Sequence, residues 1–423
     1  MRLLLNFAVP LLLLANPART QTKEGEASPE ATRYLEDVLD RIESGSRMQA
    51  TDWKALRAKA KATIDAAGAA TTAATYPAIR EALAALGDKH SFLLEPAAAK
   101  SLAAGRAEKA TGLFVVHPDA VVAQVVPGSP AAAAGLALGD RIVEVVGVDA
   151  FGDLPRREFG RLFRSGLRRD GSTATLDLRV QTGTAPRRAV QVSLADFDEY
   201  LPPTGRLLDG GIAYLELPGL GGGPKAATYD DTVHELLGQI DGGTLRGCIV
   251  DLRRNTGGNM WPMLAGIGPL AGDGKVGSFV SANGSTDWSY DAARGAAKSG
   301  DHELARVKQP QPLRADLPVA LLTGSMTASS GEAVVVAFAG RARTRRFGEA
   351  TRGVPTANAS QPLADGALLV LTVSVDADRT GKTYDDVILP DEKVAIDWMR
   401  FGTADDPVLA AACRWLAAAA DAK

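Results

Sequence analysis

The sequence predicts an α+β chain of several domains: an N-terminal helical domain, a small β domain and an α/β core. Three observations carry this prediction. Apolar residues recur every three or four positions over 29–107, short strand-like runs separated by glycine, proline and aspartate fill 109–195, and strands alternate with helices over 205–423. A chain of 423 residues is long enough for about three domains, at least one of them with a sizeable core.

Composition narrows the classes of partner. The hydrophobic share of 46% is ordinary for a globular protein, and the formal net charge is −3. A chain this close to neutrality has no general attraction for polyanions, so we expect no nucleic-acid partner. The two cysteines are Cys248, inside an apolar run, and Cys413, in the last helical segment. We expect two free thiols, with Cys248 packed as a small buried residue. No feature of the sequence specifies an oligomeric state.

Residues 1–20 have the pattern of a secretory signal. Arg2 gives the positive start, 3–14 is apolar, and small residues follow at Ala15 and Ala18. About a dozen apolar residues are too few to span a bilayer. No cysteine comes directly after the apolar run, which argues against a lipid anchor at this position. We therefore expect an exported protein, periplasmic or secreted, with no stable membrane span.

Helical periodicity defines the N-terminal domain, which we expect over 29–107. Apolar residues recur at three- and four-residue spacing from Tyr34 to Ile42 and again from Trp53 to Ile64. Near the end of the domain, LGDKHSFLLEP breaks the helical pattern and sets His90 in a short turn. A histidine in a turn is commonly only a surface side chain. The chain has four histidines, and their spacing matches no metal motif such as HExxH, so we expect no metal site.

The β domain, over 109–195, contains short strand-like runs and one helical segment, Arg156 to Leu167. The segment PGSPAAAAGLALGDRIVEVVGVDA resembles PDZ domains, and Gly112-Leu113-Phe114-Val115 looks like their carboxylate-binding loop. PDZ domains bind an extended peptide by adding it as a strand to a sheet edge. The alternative is a small β domain without a ligand.

Several arginines crowd the helical segment of this domain. Such a run is usually a solvated helix face, and the alternative is a role in drawing acidic peptide ends towards the groove. The arginines are Arg156, Arg157, Arg161, Arg164, Arg168 and Arg169.

The remainder of the chain, 205–423, alternates strand-like and helical segments. GGIAYLELPG is followed by a helix around Thr228 to Ile240 and by the buried-strand pattern GCIVDL. Gly221-Gly222-Gly223 does not complete a dinucleotide fingerprint and no Walker-type loop occurs, so we expect no cofactor. Asp405-Asp406-Pro407 opens a last helix, with Asp as the cap and Pro in the first turn.

Leu317 to Asn358 predicts a strand, a turn and a helix, with Ser329 at the start of the helix. A hydroxyl at a helix N-terminus lies among unpaired N–H groups and the positive end of the helix dipole, which favour developing negative charge. An acyl-transfer nucleophile needs such a place. The alternative is a capping box, in which Ser329 and Glu332 only satisfy backbone donors.

A glycine pair ends the strand pattern IVDLRRNTGGNM. Gly257 and Gly258 could simply make a turn. They could also let the backbone approach a substrate carbonyl and donate an N–H group to its oxyanion, which suits residues without a side chain.

Together these motifs resemble the C-terminal processing (tail-specific) serine peptidases and their tricorn-like relatives. The resemblance rests on the order helical region, PDZ domain and core, and on the core motifs DLRRNTGGN, LLTGSMTASSGE, GEATRG and DGALLVLT. It implies a crotonase-like α/β core and endopeptidase activity on loosely structured polypeptides.

The resemblance also implies roles for individual residues. Ser329 matches the nucleophile, and the N–H group of Ser330, with one from Gly257 or Gly258, would form the oxyanion hole. The lysine base of the tail-specific branch is absent, because the matching segment reads Gly353-Val354-Pro355. His90 matches the histidine that the tricorn-like branch supplies from the region before its PDZ domain, and a neutral imidazole can accept the serine proton.

The supporting residue is the point at which the sequence departs from the pattern. Tyr384 stands where the tricorn-like branch has a glutamate. Asp385 and Asp386 are candidate substitutes, and Asn358, placed like the tail-specific glutamine, is a candidate for orienting the base. Each of the three is also explained by ordinary turn or loop chemistry.

The resulting hypothesis is an exported serine endopeptidase in which His90 activates Ser329 and the PDZ domain recruits polypeptide substrate. The missing lysine and the replaced glutamate motivate two alternatives. One is a non-catalytic carrier of an apolar ligand on the same scaffold, and the other is a PDZ adaptor that binds peptides and has an inert core.

Overall fold

The computed structural model of the chain describes residues 26–47, 51–104, 106–166, 174–221, 223–240 and 245–421. The predicted secretory signal, 1–20, lies outside the described residues, as do Arg168 and Arg169. Within the described part the chain forms two compact units. The first comprises 26–43 and 51–86, and the second comprises 44–47 and the described residues from Gly87 onwards.

The first unit is helical. It is built from α1 (Pro29–Gly45), α2 (Trp53–Ala66) and α3 (Tyr76–Ala85). The predicted periodicity is confirmed in α1, whose apolar positions between Tyr34 and Ile42 are buried. Asp52 begins α2 by accepting a hydrogen bond from the Ala55 N–H group at 3.0 Å, which satisfies one unpaired donor of the first turn.

The first compact unit ends at Leu86, whereas the helical domain expected from the sequence extends to residue 107 and stays a prediction. The physical reason is strand pairing. Residues 92–94 form β1 (Phe92–Leu94), which pairs antiparallel with a strand of the core at 368–370. His90 therefore belongs to the same compact unit as Ser329, although the sequence places it at the end of the helical domain.

The β domain follows α4 (Pro96–Ala104). Its elements are β2 (Arg106–Ala110), β3 (Leu113–Val116), β4 (Val121–Val125), α5 (Pro130–Ala133), β5 (Asp140–Val145), α6 (Arg156–Ser165), β6 (Leu176–Thr182), β7 (Arg188–Val192) and β8 (Ala195–Asp198). Strands β3 to β7 form one antiparallel sheet in chain order, with β3 at its edge. Helix α6 buries Phe159, Leu162 and Phe163 in the core of the domain. It ends at Ser165 because Gly166 adopts a left-handed conformation, with φ of 61°.

The core continues with β9 (Thr204–Leu208), β10 (Ile212–Glu216), α7 (Tyr229–Ile240), β11 (Gly247–Asp251), α8 (Met260–Ala271), β12 (Gly274–Ser281), β13 (Gly284–Asp291), β14 (Ala296–Ser299) and β15 (His302–Arg306). It ends with β16 (Val319–Thr323), α9 (Ser330–Phe338), β17 (Thr344–Gly348), β18 (Thr356–Pro362), β19 (Leu368–Asp378), β20 (Thr383–Tyr384), β21 (Glu392–Lys393) and α10 (Pro407–Asp421). One sheet has the order β21-β17-β16-β11-β10-β9, and a second, antiparallel sheet is built around β19.

The central strand β11 shows why its sequence is continuously apolar. Cys248 and Val250 pack on the side of α7, α8 and α9, whereas Ile249 packs on the side of α10. Successive residues of a strand point to opposite faces, so a parallel strand covered on both faces needs apolar residues throughout. Cys248 is a buried free thiol, as predicted, and Cys413 is half-buried and also free.

Parallel neighbours bring two loops to one edge of the sheet. Strand β11 pairs in parallel with β16, so the loops after Asp251 and after Thr323 leave the sheet side by side. The Ala328 N–H group donates to the Asn255 carbonyl at 2.9 Å, and the Thr327 hydroxyl donates to the Leu252 carbonyl at 2.8 Å. These bonds hold the predicted glycine pair against the predicted nucleophile.

A buried ion-pair network holds the loop that follows Asp251. Arg253, which is fully buried, donates to Asp251 at 2.6 Å and to Asp406 at 2.7 Å. Asp406 also accepts the Val408 N–H group at 3.0 Å, so it caps α10 as the sequence predicted. Within the described residues, no helix combines the length and the apolar character needed to cross a membrane.

Candidate active site

Ser329 has a strained backbone at the start of α9. Its φ is 53° and its ψ is −118°, a combination that non-glycine residues rarely adopt. Such a conformation costs on the order of 1–3 kcal/mol and persists only where surrounding contacts impose it. A serine in a strained turn between a strand and a helix is the arrangement that exposes a nucleophile in many hydrolases.

Glu332 supplies the contacts that impose this conformation. Its carboxylate is fully buried and accepts the N–H groups of Ser329 at 2.9 Å, Gly353 at 2.8 Å and Val354 at 3.0 Å, and the Thr351 hydroxyl at 2.5 Å. Burial raises the pKa of Glu332, and these four donors oppose the rise by stabilising the charged form. The glutamate half of the predicted capping box is therefore present, and it also ties the 351–354 segment to the nucleophile.

The glycine pair lies against Ser329. Gly257 and Gly258 have φ of 100° and 117°, in the region that favours glycine. A Cβ atom on Gly257 would lie 2.8 Å from the Ser329 Cβ, and one on Gly258 would lie 1.8 Å from the Leu220 carbonyl oxygen. Neither position can carry a side chain without moving the backbone.

Hydrogen bonds distinguish the candidate oxyanion donors. The Gly257 N–H group donates to the Asn255 side-chain oxygen at 3.0 Å, so it is already engaged. The N–H groups of Gly258 and Ser330 have no hydrogen-bond partner within the described part of the chain. The Ser330 hydroxyl donates to the Gly258 carbonyl at 2.5 Å, which fixes these two residues relative to each other. Two open donors thus lie beside the predicted nucleophile.

His90 contributes a half-buried imidazole to this region. Its Nδ1 lies 2.7 Å from the Thr356 hydroxyl, and Nε2 has no hydrogen-bond partner among the described residues. Burial, followed by the charge of Arg352, lowers the pKa of His90 from 6.5 to about 4; Arg157 adds to this effect and Asp88 opposes it. At neutral pH the imidazole is therefore uncharged, which is the state that a general base requires.

A short path of contacts connects His90 to Ser329. Thr356, which contacts the imidazole, follows Val354 by two residues, and the Val354 N–H group and the Ser329 N–H group share the Glu332 carboxylate. The imidazole makes no hydrogen bond to the Ser329 hydroxyl in this structure. Hydrogen bonds of this kind are often long in unliganded enzymes and tighten when substrate binds.

Within the described part of the chain, none of the three candidate supporting residues forms a hydrogen bond with the imidazole. Asn358 donates from its side chain to the His90 carbonyl at 3.4 Å, so it contacts the backbone rather than the ring. Asp386 is exposed and pairs with Lys89 at 3.2 Å, and Asp385 is also exposed. Tyr384, at the position expected for glutamate, donates to Asp378 at 2.9 Å.

Thr356 is the contact that sequence reasoning missed. It lies 266 positions from His90 in the chain, and a threonine at the start of a strand is common for reasons of strand propensity alone. No local signal could have identified it.

The predicted PDZ loop makes hydrogen bonds within the β domain and packs its side chains on two apolar clusters. Gly112 has φ of 75°, and its carbonyl accepts the Val126 N–H group at 2.9 Å. The Leu113 N–H group donates to the Thr111 hydroxyl at 3.1 Å. Phe114 packs on a cluster that includes Met326 of the nucleophile loop, and Val115 packs on the core of the β domain. The edge strand β3 thus lies next to the loop that carries Ser329.

Two arginines of α6 contact the core instead of projecting only into solvent. Arg156 donates to the Ser325 carbonyl at 3.0 Å, and both terminal nitrogens of Arg157 lie 3.2 Å from the Ser91 carbonyl. Further along the helix, Arg164 pairs with Glu199. Among the described residues, no group of three or more His, Cys, Asp or Glu side chains is placed to hold a metal ion.

A strained serine at a helix N-terminus, two open N–H groups beside it, a neutral histidine and an adjoining PDZ-like domain define a class: serine hydrolases with a PDZ domain on an α+β scaffold. Two parts of the chain match known protein families. Residues 211–394 match peptidase family S41, and 121–166 match the PDZ domain. These matches confirm the predicted family resemblance and the predicted fold class, and they agree with the assignment to serine-type peptidases.

Curated relatives agree with this assignment. The chain is 28% identical over 216 residues to the nisin-resistance protein of Lactococcus lactis subsp. lactis, covering 49% of this chain and 66% of that protein. It is 26% identical over 345 residues to the chloroplastic carboxyl-terminal-processing peptidase 2 of Arabidopsis thaliana, covering 74% and 60%. It is also 26% identical to the carboxyl-terminal-processing protease of Picosynechococcus, covering 77% and 75%. The chain spans slightly less than two thirds of the length of the first two relatives.

Solved structures show the same fold at low sequence identity. The photosystem II D1 C-terminal processing protease superposes with a TM-score of 0.59 at 20% identity, covering 87% of this chain and 94% of that one. A lipoprotein from Streptococcus agalactiae superposes with a TM-score of 0.56 at 19% identity, covering 93% and 98%.

Proposed function

We propose that this protein is an exported serine endopeptidase that hydrolyses peptide bonds in loosely structured polypeptides, with Ser329 as the nucleophile and His90 as the general base. The observation that carries the proposal is the convergence on Glu332. This one carboxylate holds the strained Ser329 backbone and the segment that leads to Thr356, which contacts the neutral His90.

In the proposed reaction, His90 Nε2 accepts the Ser329 hydroxyl proton while the Ser329 oxygen attacks the substrate carbonyl. The N–H groups of Gly258 and Ser330 stabilise the negative charge on the carbonyl oxygen. The protonated His90 then gives its proton to the departing amine, which leaves an acyl-enzyme. Water, deprotonated by the same imidazole, attacks the acyl carbon; the bond to the Ser329 oxygen breaks, and the imidazolium returns its proton to that oxygen, which releases the acid and the free Ser329.

Thr356 would set the tautomer of the base. For Nε2 to accept a proton, Nδ1 must carry one, and Nδ1–H then donates to the Thr356 oxygen at the observed 2.7 Å. A hydroxyl in this position orients the ring without adding a negative charge. This agrees with a lowered pKa for His90, since no carboxylate of the described residues is hydrogen-bonded to its ring.

Val354 occupies the position at which the resemblance places a lysine base in the tail-specific branch. It is buried, and its N–H group donates to Glu332. An apolar side chain cannot transfer a proton, so His90 is the remaining candidate for the base on this side of Ser329.

The PDZ domain would recruit substrate, and the predicted secretory signal, residues 1–20, would direct export. Strand β3 is the edge of its sheet and can accept an extended peptide as an added strand, and its Phe114 packs near Met326 in the nucleophile loop. A peptide bound there would therefore have a short route to Ser329. The secretory-signal pattern in residues 1–20 supports an exported location.

A fluorophosphonate probe, which forms a covalent bond with activated serines, tests the catalytic pair. The purified protein should be labelled, Ser329→Ala should abolish labelling, and His90→Ala should slow it by about a hundredfold or more. Ser325→Ala and His302→Ala are matched controls, because the first removes a nearby serine hydroxyl and the second an exposed histidine.

Labelling that survives Ser329→Ala would overturn the proposed nucleophile. If the wild-type protein is not labelled, hydrolyses no unfolded polypeptide and copurifies with an apolar ligand, the carrier hypothesis takes the place of this proposal. Peptide binding without hydrolysis or labelling would favour the adaptor.

A further inference from the structure

Asn255 is a fully buried polar residue between the two loops that form the candidate active site. Its side-chain oxygen accepts the Gly257 N–H group at 3.0 Å, and its backbone carbonyl accepts the Ala328 N–H group at 2.9 Å. Its side-chain nitrogen donates to the Leu217 carbonyl at 3.0 Å. One residue therefore joins the glycine pair, the loop that carries the nucleophile and the segment that follows β10.

The first turn of α9 packs directly against Asn255. A Cβ atom on Gly331 would lie 2.8 Å from the Asn255 carbonyl oxygen and 2.9 Å from its side-chain oxygen. Position 331 therefore has no room for a side chain unless the backbone moves. Because closely packed groups transmit a shift in position, a change at Asn255 also reaches the turn that carries the Ser330 N–H group.

The peptide group between Gly257 and Gly258 is held in one orientation. The Gly257 carbonyl accepts the Leu220 N–H group at 2.9 Å, while the Gly257 N–H group donates to Asn255. In a planar trans peptide the carbonyl and the following N–H group point in opposite directions. The Gly258 N–H group therefore points away from Leu220, and it is one of the two open donors beside Ser329.

Two consecutive glycines need such a restraint, because a backbone without side chains has the largest conformational freedom to lose. An oxyanion donor stabilises the transition state fully only if it is already in place when the charge develops. Both polar atoms of the Asn255 side chain are hydrogen-bonded, so the residue itself has a fixed position. A buried, hydrogen-bonded amide also stabilises a fold, but a purely structural role and a positioning role predict different kinetics.

We propose that Asn255 is a positioning residue of the oxyanion hole, which holds the Gly258 and Ser330 N–H groups at a fixed place relative to the Ser329 hydroxyl. This inference rests on the proposed function and extends it to a residue that is buried away from the substrate. The donors that Asn255 positions act when negative charge develops on the substrate carbonyl oxygen. Its loss therefore lowers kcat and leaves substrate binding unchanged.

The test compares Asn255→Ala with Tyr229→Phe in the full-length protein. Tyr229 is also fully buried, and its hydroxyl donates to the Pro218 carbonyl at 2.9 Å, so Tyr229→Phe removes a hydrogen bond to the same segment after β10. The substrate is an unfolded polypeptide that carries a fluorophore and a quencher. Asn255→Ala should lower kcat about 100-fold and change KM less than about threefold, whereas Tyr229→Phe should keep both within about threefold of the wild type.

A peptide aldehyde and the peptide alcohol of the same sequence separate binding of the transition state from binding of the substrate. With the aldehyde, the Ser329 oxygen forms a bond to the carbonyl carbon and the Ser329 proton passes to His90. The electron pair of the C=O double bond moves to the aldehyde oxygen, which then carries the negative charge. In Asn255→Ala the inhibition constant of the aldehyde should rise about as much as kcat falls, while the Kd of the alcohol stays within about threefold.

Asn255→Asp keeps the shape of the side chain and provides a second variant if Asn255→Ala does not fold. An aspartate retains an acceptor for the Gly257 N–H group but sets its other oxygen against the Leu217 carbonyl. Its kcat should therefore fall less, by about tenfold, again with little change in KM. A folded Asn255 variant with the wild-type kcat, or one in which alcohol binding weakens as much as aldehyde binding, would overturn the inference.

Hydrogen exchange, followed by mass spectrometry, measures the restraint without any substrate and so separates failure of this inference from failure of the proposed function. In Asn255→Ala or Asn255→Asp, amide exchange in residues 256–259 and 328–331 should be faster by about tenfold or more, whereas in Tyr229→Phe it should match the wild type. If the wild-type protein hydrolyses no polypeptide, the proposed function fails, while these rates still decide whether Asn255 restrains both loops. Wild-type exchange rates in both segments of the Asn255 variants would show that it does not.

Discussion

The lowered pKa of His90 predicts an unusual acid limit for the activity of this protein. An imidazole with the ordinary pKa of 6.5 would be about 9% neutral at pH 5.5, whereas one with a pKa of about 4 is about 97% neutral at the same pH. Protonated histidine cannot accept the Ser329 proton, so activity is lost as pH falls through the pKa of the free enzyme. The structure therefore predicts about tenfold more activity at pH 5.5 than an unperturbed histidine would give.

The assay is the rate of fluorophosphonate labelling between pH 3.5 and 8, measured at low probe concentration so that it reports the free protein. The acid limb should have its midpoint near pH 4. Arg352→Gln removes the largest charge contribution to the lowering, so its acid limb should move to higher pH. Arg187→Gln serves as the control for loss of an exposed arginine. A wild-type midpoint near 6.5 would refute the burial and charge reasoning, and a limb that persists in His90→Gln would show that another group titrates.

Three further predictions concern the residues that hold the site in place. Thr356→Val should slow labelling about 10- to 100-fold while the thermal midpoint changes little, and Thr356→Ser should restore it, because only the hydroxyl orients the imidazole. Gly258→Ala should abolish labelling, because its Cβ would lie 1.8 Å from the Leu220 carbonyl oxygen; Gly284→Ala, with φ of 125° and open space around it, should lose stability without losing labelling. Glu332→Gln should lower the free energy of unfolding by about 2–4 kcal/mol, measured by urea denaturation, since an amide places N–H groups against buried donors; an unchanged free energy would contradict the role given to this carboxylate.

The sequence determined the classes of element and their order. The helical period in α1, the continuous apolar run of β11, and the strand, turn and helix around Ser329 are all local patterns. Local patterns reflect the geometry of a single element, which a few neighbouring residues set. The resemblance to a known family extended these patterns to the fold class, and comparison of the chain with that family confirmed it.

The boundary of the first compact unit and the residues that contact the His90 ring depend on distant parts of the chain, so local sequence patterns do not give them. The first compact unit ends at Leu86, because β1 pairs with a strand more than 270 residues later in the chain. Asn358, Asp385 and Asp386 are candidates by position, yet in the part of the chain that the structure describes none of them is hydrogen-bonded to the His90 ring. The roles of Ser329 and His90 remain predictions for the labelling experiment.

Tertiary structure alone decided what surrounds the site. Glu332 joins the nucleophile to the 351–354 segment, Thr356 contacts the imidazole, and Arg156 reaches the site from a different domain. Each of these contacts joins residues that lie far apart in the chain or belong to different elements, and packing of whole sheets and helices sets their distances. The same packing partly shields His90 from water and places the charge of Arg352 where it acts on the imidazole, so the pKa of the base is a property of the folded molecule and not of the histidine.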